Sequence, residues 1–409
     1  MSSNDATPPG GSRRTGENDA AGSSDDARRD DASSAGALSD GDDGRDDGRD
    51  DDSDTPRGGF IRRHRALAVL LALLLVIGLA VGGSFLYLNS MLDKIDRIDP
   101  YESIPATARP PAPEGEALNI LLAGADNGVG DGATIAEAMA DGDWQPGAFR
   151  SDTLMVLHIP ADRGTAYLVS IPRDSYVELY DEKCERQGKN KINAAFSLYG
   201  PAGAICTVEK LTATRMDHLA IIDWAGFKDI TDALGGVEVY VPQTITDDNQ
   251  GGVTFEQGMN ELDGELALKY VRSRYVLREG DLGRIDRQQN FLRAMVDKIG
   301  STGLVSSPRR FSNTFSAIAS NLTVDSDWSN GDLRGLAWAM RGIRPDDLTL
   351  MTVPLKARNP FPTVDGVGST VALNRNGVDK LFTAMRNDVF DGFVDGNRDL
   401  LVPDSRNVQ

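Results

Sequence analysis

The chain has 409 residues, enough for two or three domains by length alone, and a formal net charge of −19. Two cysteines without a Cys-x-x-Cys pattern, and three histidines scattered at 64, 158 and 218, exclude a zinc centre and a cysteine nucleophile. Sixteen Asp or Glu against six Arg between Met1 and Pro56 carry about half of the net charge, so the remainder is only mildly acidic and the charge says little about a ligand.

In chain order, residues 1–57 are Asp, Gly, Ser and Ala with almost no large apolar side chain. Such a stretch cannot bury enough surface to offset the entropy of ordering, and a disordered acidic cytoplasmic tail is expected. Its bland role is to keep the chain soluble; a docking segment is the sharper alternative. Ala66 to Leu88 is a run of 23 uncharged, mostly apolar residues, about 34 Å long as a helix and sufficient to cross a bilayer. Arg57, Arg62, Arg63, His64 and Arg65 precede it, whereas mixed charges follow it (Asp93, Lys94, Asp96, Arg97, Asp99). The positive-inside rule then puts the N-terminus in the cytoplasm and everything after Leu88 outside, as in a single-pass protein of the cell membrane. A cleaved signal peptide ending near Ala80-Val81-Gly82 is the alternative, but the apolar run continues past that site. Outside the cytoplasm Cys184 and Cys206 are expected to form a disulfide, worth about 3 kcal/mol for a loop of roughly 20 residues; two buried thiols are the rival reading.

Residues 89–116, ending in Arg109-Pro110-Pro111-Ala112-Pro113, read as a stiff extended stalk. Strands are expected at Leu118–Ala123, Thr153–Ile159, Ala166–Ile171, His218–Asp223, Val237–Val241 and Leu348–Val353. Helices are expected at Ile192–Leu198 and Ala202–Thr214, split by Gly200-Pro201, then at Trp224–Leu234, Leu262–Val271, Ile285–Ile299, Arg309–Ser320 and Asn330–Met340. Strands alternating with helices over 117–386 argue for an α/β domain, a central sheet sandwiched by helices. Residues 387–409 read as a loose tail.

Two polar clusters stand out. Asp126, Arg150, Asp152, Arg173 and Asp174 each lie just before or after a buried run, at the strand ends where α/β folds bind ligands. Two carboxylates, Asp126 and Asp152, suit one Mg²⁺, and Arg150 and Arg173 suit phosphate. Strand-terminal salt bridges with no ligand are the plain alternative. The second cluster is Arg272, Arg274, Arg278, Asp281, Arg284, Arg287, Gln288 and Arg293, six arginines within 22 residues. Such a set repels itself unless an anion is present, and the compartment excludes nucleic acid. A solvated basic face is the competing reading; arginine in place of lysine throughout favours bidentate phosphate or pyrophosphate recognition. With no Ser/His/Asp set and no P-loop, phosphoryl chemistry run by positioning and charge neutralisation is expected.

The segments Asn119-Ile120-Leu121-Leu122-Ala123-Gly124-Ala125-Asp126, Arg150-Ser151-Asp152-Thr153, Ser170-Ile171-Pro172-Arg173-Asp174 and Lys191-Ile192-Asn193-Ala194-Ala195-Phe196 occur in that order. Leu262-Asp263-Gly264-Glu265, Tyr270-Val271-Arg272-Ser273-Arg274, Asp281-Leu282-Gly283-Arg284 and Arg287-Gln288-Gln289 follow. Together they resemble the LytR-CpsA-Psr family of bacterial cell-wall enzymes, in an actinobacterial version. The resemblance implies a central mixed sheet in a three-layer domain with a greasy slot for a lipid. It implies a Mg²⁺-dependent phosphotransferase that moves a glycopolymer from a polyprenyl-pyrophosphate carrier onto a peptidoglycan acceptor. Asp126 and Asp152 would then hold the metal. Arg150, Arg173, Arg272, Arg274, Arg284 and Gln288 would grip the pyrophosphate, and Asp281 would stand by as a base or as an arginine-orienting group. Helix Ala202–Thr214 and the run Trp224–Leu234 are candidates for the slot. The long insertion Asn127–Phe149 departs from the pattern and weakens the case for Asp126. Rival readings are a hydrolase using the same residues and a non-catalytic polymer binder or regulator.

Overall fold

The computed structural model describes residues 58–112, 115–127, 134–140, 144–248, 251–273, 281–301 and 307–402. The chain divides into Met1–Val69 and Leu70–Gln409. Of the first unit only the start of helix α1 (Gly58–Leu92) is described. In the second, α1 continues through exposed Leu73–Leu79 and meets the folded domain from Phe85 onward.

The domain is organised by a seven-stranded mixed sheet. Its strands are β1 (Asp96–Ile98), β2 (Leu118–Asn127), β3 (Phe149–Ile159), β4 (Ala166–Ile171), β7 (His218–Asp223), β12 (Leu322–Asp325) and β13 (Leu348–Thr352), in spatial order β1-β12-β7-β2-β3-β4-β13. β2 lies at the centre, parallel to β7 and antiparallel to β3. Two smaller antiparallel pairs flank it in sequence, β5 (Tyr176–Tyr180) with β6 (Arg186–Lys191), and β8 (Val237–Val241) with β11 (Gly258–Leu262). β9 (Ile245–Asp247) pairs with β10 (Val253–Phe255). The strands expected at Ala166–Ile171, His218–Asp223 and Val237–Val241 have those bounds.

Alternation along β2 sends its two faces into different layers. Leu121, Ala123 and Ala125 pack with α3 (Asn193–Thr212), α9 (Arg375–Arg386) and α10 (Phe390–Gly396), around Phe196, Ile205, Phe382 and Phe390. The opposite face, with Ile120 and Leu122, looks toward α4 (Trp224–Ala233), α5 (Gly264–Arg272), α6 (Asp281–Ser301), α7 (Pro308–Ser320) and α8 (Asn330–Ala339). This is the expected three-layer arrangement. Gly200 breaks α3 with φ 69°, and a Cβ there would come within 3.1 Å of the Trp144 ring, so the expected split is kept as a kink inside one helix. Gly264 lets α5 press on α4: a Cβ would stand 2.5 Å from the Lys228 carbonyl oxygen. The Cys184–Cys206 disulfide is formed, with Cα atoms 5.2 Å apart.

Two expectations need correction. Residues 89–112 are not a free stalk. Met91, Leu92, Ile95, Ile98 and Ile104 are buried, β1 extends the sheet beside β12, and Arg109 pairs at 2.7 Å with Glu209, a carboxylate 1% exposed. The prolines suggested stiffness, but the apolar residues before them had a core to join. Nor is the expected tail from residue 387 loose over its described part, 387–402. Phe390 and Val402 are buried, α10 packs in the core, and Val402 N–H donates to the Leu350 carbonyl at the sheet edge.

Candidate active site

The site grows from the central hairpin β2–β3. Gly124 pairs with Thr153 but Ala125 pairs with Ser151, so Asp152 is the extra residue of a β-bulge. A bulge re-aims the strand beyond it. Its effect here is to bring Arg150 into register opposite Asp126. Both strands run past their apolar segments to make this pair, β2 to Asn127 and β3 from Phe149. The insertion between them therefore extends the hairpin and keeps Asp126 beside Arg150. Within that insertion Ile135 is buried and Trp144 packs on Phe149 and Phe196.

Behind this end of the hairpin lies an apolar slot. Leu122, Gly124, Thr153 and Met155 form its sheet wall, and Trp224, Phe227 and Ile230 of α4 face them. Gln288, Phe291, Leu292 and Met295 of α6 close it, spaced as one helical stripe, with Val271 from α5. The run Trp224–Leu234 thus lines the slot, as the resemblance implied. Helix Ala202–Thr214 does not: Ala202, Ile205 and Val208 belong to the core on the other face of the sheet.

Next to the slot, two acid–arginine pairs stand one and two residues beyond its Gly124–Thr153 rung. Arg272 Nη2 donates to Asp126 Oδ2 at 2.7 Å, and Arg173 Nη1 donates to Asp152 Oδ1 at 2.5 Å. The Arg272 guanidinium lies 5.1 Å from the centroid of the Trp224 ring, a cation–π contact at the boundary between charge and grease. Trp224 Nε1 is buried and has no hydrogen-bond partner among the described residues. Asp174 takes Lys191 Nζ at 3.0 Å and lies 3.6 Å from Arg173 Nε, which ties the β5–β6 hairpin to the same rim. Arg150 is exposed there.

The arginine-rich segment divides by role. Arg272 is in the last turn of α5, and Gln288 lines the slot. Arg287 is buried and donates to the Ser273 carbonyl, while Gln289 is held by Ser170 and the Met351 carbonyl; these two hold α6 in place. Asp281 and Arg284 lie on α6. Their side chains, and Arg274 and Arg278 altogether, fall outside the described residues. Alternation along β2 could have identified Leu122 and Gly124 as slot wall in advance. Trp224 as a seat for Arg272 had no sequence signal.

Among the described residues no group of three or more His, Cys, Asp and Glu converges on a metal position. Two carboxylates, Asp126 and Asp152, each bonded to arginine through one oxygen, nevertheless suit the chemistry of Mg²⁺, which keeps several waters and binds through one or two carboxylates plus substrate phosphate.

The LytR_cpsA_psr family model matches residues 88–387. The chain is similar to the probable cell wall biosynthesis protein LcpB of Corynebacterium glutamicum, with 34% identity over 331 residues, 81% of this chain and 72% of that protein. It is also similar to the polyisoprenyl-teichoic acid–peptidoglycan teichoic acid transferase TagU of Enterococcus faecalis, with 32% identity over 269 residues, 64% of this chain and 79% of that one. In fold it resembles the solved LytR-Csp2A-Psr enzyme from Actinomyces oris, with TM-score 0.53 and 21% identity over 71% of this chain and 95% of that one.

Proposed function

The chain belongs to the LytR_cpsA_psr family, and from that premise we propose that it transfers a glycopolymer from a polyprenyl-pyrophosphate carrier onto peptidoglycan. The supporting observation is the placement of two acid–arginine pairs next to an apolar slot, where a lipid-linked pyrophosphate would lay its tail in grease and its charge on guanidinium. The relatives' names point the same way, since the Enterococcus protein is a transferase of polyisoprenyl-linked teichoic acid to peptidoglycan. α1 would anchor the domain on the outer side of the membrane.

In this reading Arg173 and Arg272, with Arg150, Arg274, Arg284 and Gln288, bind the pyrophosphate. The Arg272–Asp126 pair is partly exposed, with side chains 36% and 24% accessible, and a pair of that kind is worth only about 0–1 kcal/mol. Phosphate oxygens can therefore take over the Arg272 guanidinium at little cost and free Asp126; the Arg173–Asp152 pair is more enclosed, with side chains 15% and 14% accessible. Asp126 and Asp152 would be the residues to hold Mg²⁺, which would supply Lewis-acid neutralisation of phosphate charge. An acceptor hydroxyl attacks the sugar-proximal phosphorus; its proton passes to a base, for which Asp281 is the candidate. The new O–P bond replaces the bond to the polyprenyl phosphate, which departs, and a phosphodiester remains. Each arginine is asked for about 2–4 kcal/mol of transition-state stabilisation.

The test uses the full chain with a short polyprenyl-pyrophosphate glycan, Mg²⁺ and peptidoglycan fragments, read by mass spectrometry. A glycan–peptidoglycan adduct is expected, and its loss in Asp152→Ala and Arg173→Ala. Free phosphorylated glycan without adduct would make the protein a hydrolase. Binding without turnover, indifferent to Asp152→Ala, would make it a binder.

A further inference from the structure

We infer that the end of α8 and the start of α7 form a second contact with the membrane, a belt of Trp338, Arg341, Arg309 and Arg310 seated among anionic lipid headgroups. The inference rests on the reading that α1 crosses the bilayer.

The argument is one of levels along α1. Tyr87 hydrogen-bonds Ser312, and Lys94 Nζ donates to Ser316 at 2.9 Å. α7 therefore runs alongside α1 in the same sense, and its first turn, with exposed Arg309 and Arg310, lies on the membrane side of Tyr87. α8 runs the other way. Asn330, at its start, binds Asp93 at 2.6 Å and Arg97. One turn later Arg334 bonds Asn89 and stacks over Phe85, 4.8 Å from the ring centroid. Trp338 follows four residues on, about 6 Å further along the same helix face. That step carries it past Phe85, to the level of the apolar segment of α1.

The chemistry of the face agrees with that level. Leu333, Leu336 and Met340 pack into the core, so α8 turns Arg334 and Trp338 outward. Trp338 is 70% exposed, the most exposed large apolar side chain among the described residues, and Arg341 covers its ring at 4.2 Å. Phe85, Leu86 and Tyr87 are at least half exposed beside it. An indole with an arginine on its face is poorly placed in water, but suits the bilayer interface, where tryptophan is enriched and each cation near an anionic surface gains about 1 kcal/mol. Such a belt would fix the tilt of the domain and hold the slot at a set height above the lipid from which its substrate must come.

The full chain is reconstituted into phosphatidylglycerol vesicles whose acyl chains are brominated near the headgroup, and tryptophan emission is compared with that in unbrominated vesicles. The chain has four tryptophans, so wild type is compared with Trp338→Phe. Quenching is expected to fall by about half or more in the variant, and to weaken in Arg341→Glu. Equal quenching in wild type and Trp338→Phe, with both proteins resisting carbonate extraction, would overturn the belt and leave the anchor standing. Extraction by carbonate would overturn the anchor reading and the belt with it. Dimers in detergent that Trp338→Ala dissolves would assign the face to a second copy of the chain instead.

Discussion

At the scale of single residues the site depends on how each guanidinium is held. Arg272 has one carboxylate partner, Asp126, and one aromatic seat, Trp224. The ring touches both Arg272 and the slot, so Trp224 is a positioning residue. Trp224→Phe keeps an aromatic face but loses the indole N–H; Trp224→Ala loses both. Loss of a cation–π contact of about 0.5–2 kcal/mol predicts a fall in turnover by about two- to thirty-fold for Trp224→Ala. Partial rescue is expected in Trp224→Phe, measured with saturating donor so that binding and turnover separate. A purely structural role would instead lower the melting temperature and leave turnover per folded molecule unchanged. His158 is a different case, remote from this chemistry. It is fully buried, its Nδ1 is bonded to Asn119 Oδ1 at 2.8 Å, and burial pushes its pKa down from 6.5 to about 4 against the opposing pull of Asp388. Between those values the unfolded chain binds a proton that the folded one refuses. The stability contributed is therefore full above about pH 6.5 and is lost as pH falls toward 4, about 2 kcal/mol being gone at pH 5. Urea unfolding at pH 7 and pH 5 should show this loss, and His158→Gln should flatten it.

At the scale of elements, legibility followed burial. β4, β7 and β8 were readable because each is an apolar run bounded by turn residues. β6, Arg186–Lys191, holds no apolar residue and exists only through pairing with β5, so nothing local announces it. β1 and β12 are three and four residues long, too short for a period to register. The two polar clusters were legible from residue type and position, and the resemblance added their roles; what the chain could not reveal was the bulge that puts Arg150 opposite Asp126, since bulges leave no mark in composition. Nor could it show that α3 serves the far face of the sheet while α4 serves the slot. Gly124 joins the two halves of the site, being slot wall two residues before Asp126. A side chain there would enter the slot and meet Thr153 Cβ at 3.0 Å. Gly124→Val should therefore reduce turnover of a long-chain carrier by at least about ten-fold, a loss of some 1.4 kcal/mol, while a short-chain carrier that leaves the slot unfilled is spared. Equal losses with both carriers would mean that the strand had been distorted rather than the slot filled.

At the scale of the whole molecule the segment between α1 and β2 decides how firmly α1 is tied to the sheet. A flexible spacer would let the two move independently, but residues 93–112 are part of the core. Leu92 and Ile95 pack with Ile120, Ile159 and Trp328, and Arg109 closes over Glu209 with its guanidinium 4.3 Å from the Tyr101 ring. Glu209 is buried on α3 and also accepts from the Met216 N–H at 2.9 Å, so it cannot turn to water when its partner goes. Removing one member of a buried ion pair costs about 3–5 kcal/mol, most of it the penalty of the charge left behind. Arg109→Ala should destabilise the domain by that amount in chemical unfolding, although it lies in what reads as a proline-rich linker. Arg109→Ala combined with Glu209→Leu should recover most of the loss, because no uncompensated charge then remains. A linker that merely touched the surface would give less than about 1 kcal/mol for Arg109→Ala and no recovery in the double variant.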